Sequence, residues 1–167
     1  MNNMKFVTGC PEKRSDTYTQ IYIQIVFAVK GRQNFIEEHN REELQKYVSG
    51  LIQKRNQKLL AIYIMTDHVH LLVGFKPDIA VSDLVRDIKS ISSQFISEKK
   101  WIPFKFNWQE GYGAFSYSKS QIDRVVKYIL NQEDHHKKHT FREEYLDFLQ
   151  KFEIEFKEKY LFEWYDK

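Results

Sequence analysis

The chain has 167 residues, and 26 Lys+Arg against 23 Asp+Glu leave a formal charge of +3. That length suits a single domain, since one core serves about 100–200 residues. With 42% hydrophobic and 29% charged residues the chain reads as soluble and globular; long disorder is excluded, and no window approaches the roughly 20 apolar residues of a membrane span.

The only cysteine, Cys10, excludes an internal disulfide and a cysteine zinc cluster, and a reducing cytoplasm is the expected compartment. The polar start MNNMKFVTGCPEKRSD lacks the apolar core of a secretory signal. Charge is uneven: residues 143–167 hold 8 acids and 4 bases, so residues 1–142 carry 22 bases against 15 acids. Aromatics make up 16% of the chain, with seven between Trp101 and Tyr117. A basic, aromatic-rich body suits a polyanion with flat bases.

Residues 1–16 read as a polar, mobile leader. From Thr17 to Val29, Ile21, Ile23, Ile25, Phe27 and Val29 alternate with Tyr18, Gln20, Tyr22 and Gln24, the period of a strand with one buried and one open face. Lys30–Asn34 is a loop. Leu44, Val48, Leu51 and Ile52 recur at helical spacing within Glu37–Asn56. Lys58–Met65 and His68–Phe75 read as strands joined at Thr66-Asp67. A second helix runs from Val81 to Lys99 on the stripe Leu84, Val85, Ile88, Ile91, Phe95 and Ile96. A fourth strand lies within Phe104–Ser118. A third helix spans Gln121–Lys138 with Ser118 or Ser120 as its cap, and Thr140-x-x-Glu143 opens a final helix. The order β-α-β-β-α-β is that of the ferredoxin-like architecture, an α+β fold with an antiparallel four-stranded sheet. It would leave the second sheet face open.

His68-Val69-His70 begins the third strand. Residues i and i+2 share a strand face, roughly 7 Å apart, and Val69, Leu71, Val73 and Phe75 claim the core side. Both imidazoles then emerge opposite, where they can converge on one metal; alone, the pair is better read as two hydrogen-bonded histidines on a polar face. Tyr128 and Gln132 stack one turn apart on the third helix, flanking the buried face of Ile122, Val125, Val126 and Ile129. By spacing alone, packing is the better reading of that tyrosine. His135 and His139 make a helical HxxxH, but Lys137 and Lys138 beside it and the lack of an acid within it favour a solvated helix end. Arg86, Lys89 and Ser93 form a polar ridge able to meet phosphates.

Taken together, the TDHVHLLV strand, the stretch Trp108-Gln-Glu-Gly-Tyr-Gly-Ala-Phe-Ser and the helix Val125-Val-Lys-Tyr128-Ile-Leu-Asn-Gln132 resemble the single-tyrosine HUH transposases of small bacterial insertion sequences. The resemblance runs from about Tyr18 to Thr140, with a transposase domain over residues 17–140 and a helical tail over 141–167. It implies that His68 and His70 bind a divalent cation, Mg2+ or Mn2+, with Gln132 as third ligand, and that Tyr128 is the nucleophile that opens single-stranded DNA through a 5′-phosphotyrosine. It further implies hairpin DNA ends as substrate, a homodimer hinged at Gly111–Ser118, and a bacterial cytoplasm. Arg86, Lys89, Ser93, Tyr22 and Lys127 are then the candidates for DNA contact. The competing readings are a non-catalytic single-stranded nucleic-acid-binding module with an open sheet, and a metal-dependent phosphoesterase that uses water.

Overall fold

The computed structural model describes residues 18–32, 34–158 and 161–162; the expected leader, residues 1–16, lies outside them. Four strands and five helices follow in the order β1 (Ile21–Ala28), α1 (Glu38–Lys54), β2 (Lys58–Ile64), β3 (His68–Phe75), α2 (Val81–Glu98), β4 (Gly113–Tyr117), α3 (Ile122–Leu130), α4 (Gln132–His136) and α5 (Phe141–Lys151). The sheet order is β2-β3-β1-β4, antiparallel throughout. This is the ferredoxin-like arrangement that the order of elements predicts. No helix among the described residues is long and apolar enough to cross a membrane.

Alternation along β1 and β3 sorts their side chains between two cores. Ile25, Phe27, Val29, Val69, Leu71 and Val73 pack with Leu44, Val48 and Ile52 of α1 and with Leu84, Val85 and Ile88 of α2. Asn56 takes φ 58°, the left-handed conformation that ends a helix, and sends the chain back into β2.

The second sheet face is not open, contrary to the expectation from the strand pattern. Val26, Ala28, Leu72, Phe115 and Tyr117 pack against Ile122, Val125 and Ile129 of α3 and against Phe141, Tyr145, Phe148 and Leu149 of α5. At roughly 1.5–3 kcal/mol per fully buried large apolar side chain, docking α5 stabilises the fold substantially. Thr140 caps that helix, its hydroxyl accepting from the Glu143 backbone N–H at 3.2 Å while Oε2 of Glu143 accepts from the Thr140 N–H at 2.7 Å. The capping box read from Thr140 and Glu143 is therefore present.

The aromatic cluster also turns inward. Of the seven aromatics from Trp101 to Tyr117 only Phe104 is exposed. Trp108 bridges to Val29 and donates its indole N–H to Ser92 Oγ at 2.9 Å. The segment expected to act as a hinge, Gly111–Ser118, is mostly β4, paired with β1 from Tyr22–Tyr117 to Val26–Gly113. A strand held in a ladder does not hinge, and Gly113 serves close packing against Phe115 and Tyr145.

Candidate active site

Strand parity sets the first two residues. His68 and His70 leave β3 on the side opposite Val69, Leu71 and Val73, as their spacing predicts, but both rings are fully buried beneath α3 and α5. Their centroids lie 5.0 Å apart. Nδ1 of His68 is 2.6 Å from Oδ1 of Asp67, and Nδ1 of His70 is 3.3 Å from Nε2 of Gln24, whose Oε1 accepts from the Tyr117 hydroxyl at 2.9 Å. Each histidine is thus held by its Nδ1 side and turns Nε2 to the interior.

The expected single helix from Gln121 to Lys138 is three pieces. A 3-10 turn over Lys119–Gln121, capped by Ser118, leads into α3, and Asn131 (φ −103°, ψ 25°) separates α3 from α4. Across this break Tyr128, Gln132 and His136 still follow one another at i+4 and face the histidines. The Tyr128 ring lies 6.2 Å from that of His70, His136 lies 4.7 Å from His68, and Gln132 is wholly buried. Arg41 of α1 grips Glu133 at 2.8 Å and fixes α4 to the body. Tyrosine and histidines meet within one chain.

α5 supplies the remaining wall. Phe141 stacks on His68 at 4.1 Å, and one turn later Glu144 enters the cavity. Oε1 of Glu144 accepts from the Tyr128 hydroxyl and, at 3.1 Å, from Nε2 of Gln132. Oε2 lies 3.4 Å from Nε2 of His70 and 3.3 Å from Nε2 of His136. Burial holds His68 below the ordinary imidazole range, and burial with the neighbouring His68 and His70 pushes His136 down to about 3. Neutral rings are the form that binds metals.

Nε2 of His68, His70 and His136, Oε2 of Glu144 and Oε1 of Gln132 are all buried without a hydrogen-bond partner. Unpaired buried polar atoms are costly and uncommon, and here those of the three histidines and Glu144 converge. His68, His70, His136 and Glu144 each offer one ligand atom within 4.8 Å of the others. These residues fit a divalent cation.

His136 and Glu144 escaped the sequence reading, which gave His135, His136 and His139 no role. His135, stacked on His139 at 5.0 Å, sets its Nε2 3.7 Å from Oε1 of Glu144, while His136 turns inward beside His68. The signals were its place one turn beyond Gln132 and the presence of an acid in the apolar stripe Phe141, Tyr145, Phe148 and Leu149.

The residues expected to touch DNA separate into two regions. Arg86 is paired with Asp83 at 2.6 Å, and Lys89 donates to the carbonyls of Gln109, Glu110 and Gly111 at 2.7, 3.1 and 2.7 Å. With Ser93 they line a groove of about 710 Å³ between α2 and the segment preceding β4. Tyr22 is half-buried under Lys119, 5.8 Å from its ring. Lys127, by contrast, is exposed and lines a cleft of about 720 Å³ shared with Tyr128, Arg124, Lys137 and Lys138.

Fold and site together define the class: a ferredoxin-like α+β domain with a buried imidazole–carboxylate centre and a tyrosine hydroxyl at its edge. Residues 17–132 match the family of IS200-like transposases, and the chain belongs to that family. It is 25% identical over 122 residues to the ISDra2 transposase TnpA of Deinococcus radiodurans, covering 69% of this chain and 86% of that protein. Two solved structures share its fold. One, from Deinococcus radiodurans R1 and described as a transposase, aligns with a TM-score of 0.58 at 21% identity, over 72% of this chain and 97% of the other. The second, a REP-associated tyrosine transposase bound to a REP hairpin, aligns with a TM-score of 0.57 at 15% identity, over 75% and 74% of the two chains.

Proposed function

We propose that this transposase-family protein cuts and rejoins single-stranded DNA with Tyr128 as nucleophile. The observation that carries the reading is the Tyr128 hydroxyl, held by Glu144 beside buried, unpartnered imidazole nitrogens. His68 and His70, with the amide oxygen of Gln132, would hold a divalent cation, Mg2+ or Mn2+. When bound, that cation supplies Lewis-acid stabilisation of charge on the scissile phosphate.

The chain's own residues account for the rest. A phenol with a pKa near 10 is a poor nucleophile at neutral pH, and the Glu144 carboxylate beside it is an acceptor for its proton. The Tyr128 oxygen attacks phosphorus, the P–O3′ bond breaks, and the 3′ oxygen leaves as a hydroxyl after taking up a proton. The 5′-phosphotyrosine keeps the phosphodiester's bond energy, so a second 3′-OH can reverse the exchange and free Tyr128. Phe141 and Phe148, packed around the histidines, exclude bulk water from the pocket and so oppose hydrolysis of the intermediate.

The cleft at Tyr128 supports a path for the DNA backbone, since Arg124, Lys127, Lys137 and Lys138 line it. Hairpin ends of a mobile element are the substrate class that the family and the hairpin-bound fold neighbour favour. A homodimer in a bacterial cytoplasm completes the reading; light scattering at micromolar concentration tests the assembly, and a monomer would remove it. The alternative of a non-catalytic sheet-face binder requires an open sheet, and that face is covered.

The deciding experiment incubates the protein with end-labelled single-stranded hairpin DNA and Mn2+. A covalent adduct that resists denaturation, mapped to Tyr128, is expected. A gel shift without cleavage would favour the binding module, and hydrolysed product without adduct the phosphoesterase.

A further inference from the structure

We infer that His136 and Glu144, both beyond the segment that matches the family, are ligands of the same cation as His68 and His70, giving the centre three imidazoles and one carboxylate. The inference deepens the reading above and rests on its cation site.

The argument starts from buried polar atoms that meet only one another. Nε2 of His68, His70 and His136 and Oε2 of Glu144 are buried without a hydrogen-bond partner; Oε2 lies 3.3 and 3.4 Å from the His136 and His70 nitrogens, and the four residues gather one ligand atom each in the same space. Packing alone does not explain four such atoms. A ring held by a hydrophobic wall would cost less as phenylalanine or leucine, because a buried polar group without a partner carries its full desolvation penalty. The four atoms lie within 4.8 Å of one another. Two ligands at about 2.0–2.2 Å from a shared ion stand no more than ~4.4 Å apart, so a contraction of a few tenths of an ångström closes the set.

The carboxylate divides its work between its oxygens. Oε1 receives the Tyr128 hydroxyl and the Gln132 amide, which leaves Oε2 for the ion. The same side chain then fixes the nucleophile relative to the cation. His68 is supported behind by Asp67, the carboxylate–histidine pairing that holds a ligating imidazole in register.

This donor set also selects the ion. Magnesium takes oxygen ligands and holds on to its water, whereas imidazoles suit first-row transition cations. The Gln132 oxygen, also buried without a hydrogen-bond partner, would be a fifth donor; five donors exceed the four places of a tetrahedral zinc centre and would suit a cation that accepts five or six ligands, such as Mn2+ or Co2+.

The test is metal binding to the full chain without DNA. Calorimetry with Mn2+ and the visible spectrum of bound Co2+ should each report one site, with Mg2+ binding at least tenfold more weakly. Loss of a group that merely supports a ligand costs about 10–100-fold in affinity, so His136→Gln and Glu144→Gln should each lose at least that and alter the Co2+ spectrum. Circular dichroism identifies any variant that has unfolded, and for such a position His136→Asn or Glu144→Asp takes its place. Folded variants at both positions that bind Mn2+ with wild-type affinity would overturn the inference. Metal binding that depends on His136 and Glu144 in a protein that forms no DNA adduct would uphold this inference and refute the proposed reaction; adduct formation with metal binding indifferent to both residues would do the reverse.

Discussion

Oδ1 of Asp67 lies 2.6 Å from Nδ1 of His68, and the contact decides which nitrogen of that ring faces the cavity. A carboxylate holds the proton at Nδ1 and leaves a lone pair on Nε2. Asp67→Asn keeps the shape and loses the charge that fixes this tautomer. Mn2+ affinity should fall about 10–100-fold by calorimetry; an unchanged affinity would mean that Phe141 stacking alone orients the ring.

Tyr128→Phe should abolish the covalent adduct and leave DNA affinity within a factor of about two, as measured by gel shift and denaturing electrophoresis. Helical periodicity puts this hydroxyl on a flank able to reach water, whereas the structure gives it to Glu144. Removing it takes one donor from a buried carboxylate, so unfolding should become easier by about 1 kcal/mol. Adduct formation by the Phe variant would move the nucleophile to another tyrosine.

Gly113→Ala should destabilise the protein by about 1–3 kcal/mol. A Cβ there would stand 2.8 and 2.9 Å from ring atoms of Phe115 and 3.0 Å from Tyr145. Both rings are buried in the core between the sheet and α5 and cannot swing away. A melting temperature equal to wild type would show that these rings yield more readily than their packing implies.

Lys89 and Lys127 should separate by assay. Lys89→Met removes the donor that holds three carbonyls before β4, so it should lower the melting temperature and leave DNA affinity close to wild type. Lys127→Ala, at an exposed position, should leave stability within about 0.5 kcal/mol and weaken DNA binding. The opposite pattern would return the DNA to the α2 ridge.

The parts of this fold that obey a simple period were legible before the structure. β3 begins at His68 and ends at Phe75 as its alternation requires, and its parity alone sends both histidines away from the first core. The break at Asn131 was not legible, because no glycine or proline marks it and Gln132–His136 carries an ordinary helical composition. The cover over the second sheet face was half legible. The amphipathic stripe of α5 announces that it must bury something, but a stripe does not name its partner. Glu144 was overlooked for the same reason: one acid in an apolar stripe acquires meaning only when the opposite wall, with His70 and Tyr128, is known.

That cover has a consequence for how the protein would hold nucleic acid. Ferredoxin-like sheets that lay bases across their aromatic residues bind partly through stacking, a contribution that added salt leaves largely intact. Here the sheet aromatics Phe115 and Tyr117 lie under α5, and the cleft beside Tyr128 is walled by guanidinium and ammonium groups. Association would then run on the release of condensed counterions. The logarithm of affinity should fall linearly with the logarithm of salt concentration, with a slope of about −0.7 per phosphate neutralised on a single strand, and the grip of this protein on its substrate becomes a direct reading of the ionic strength around it.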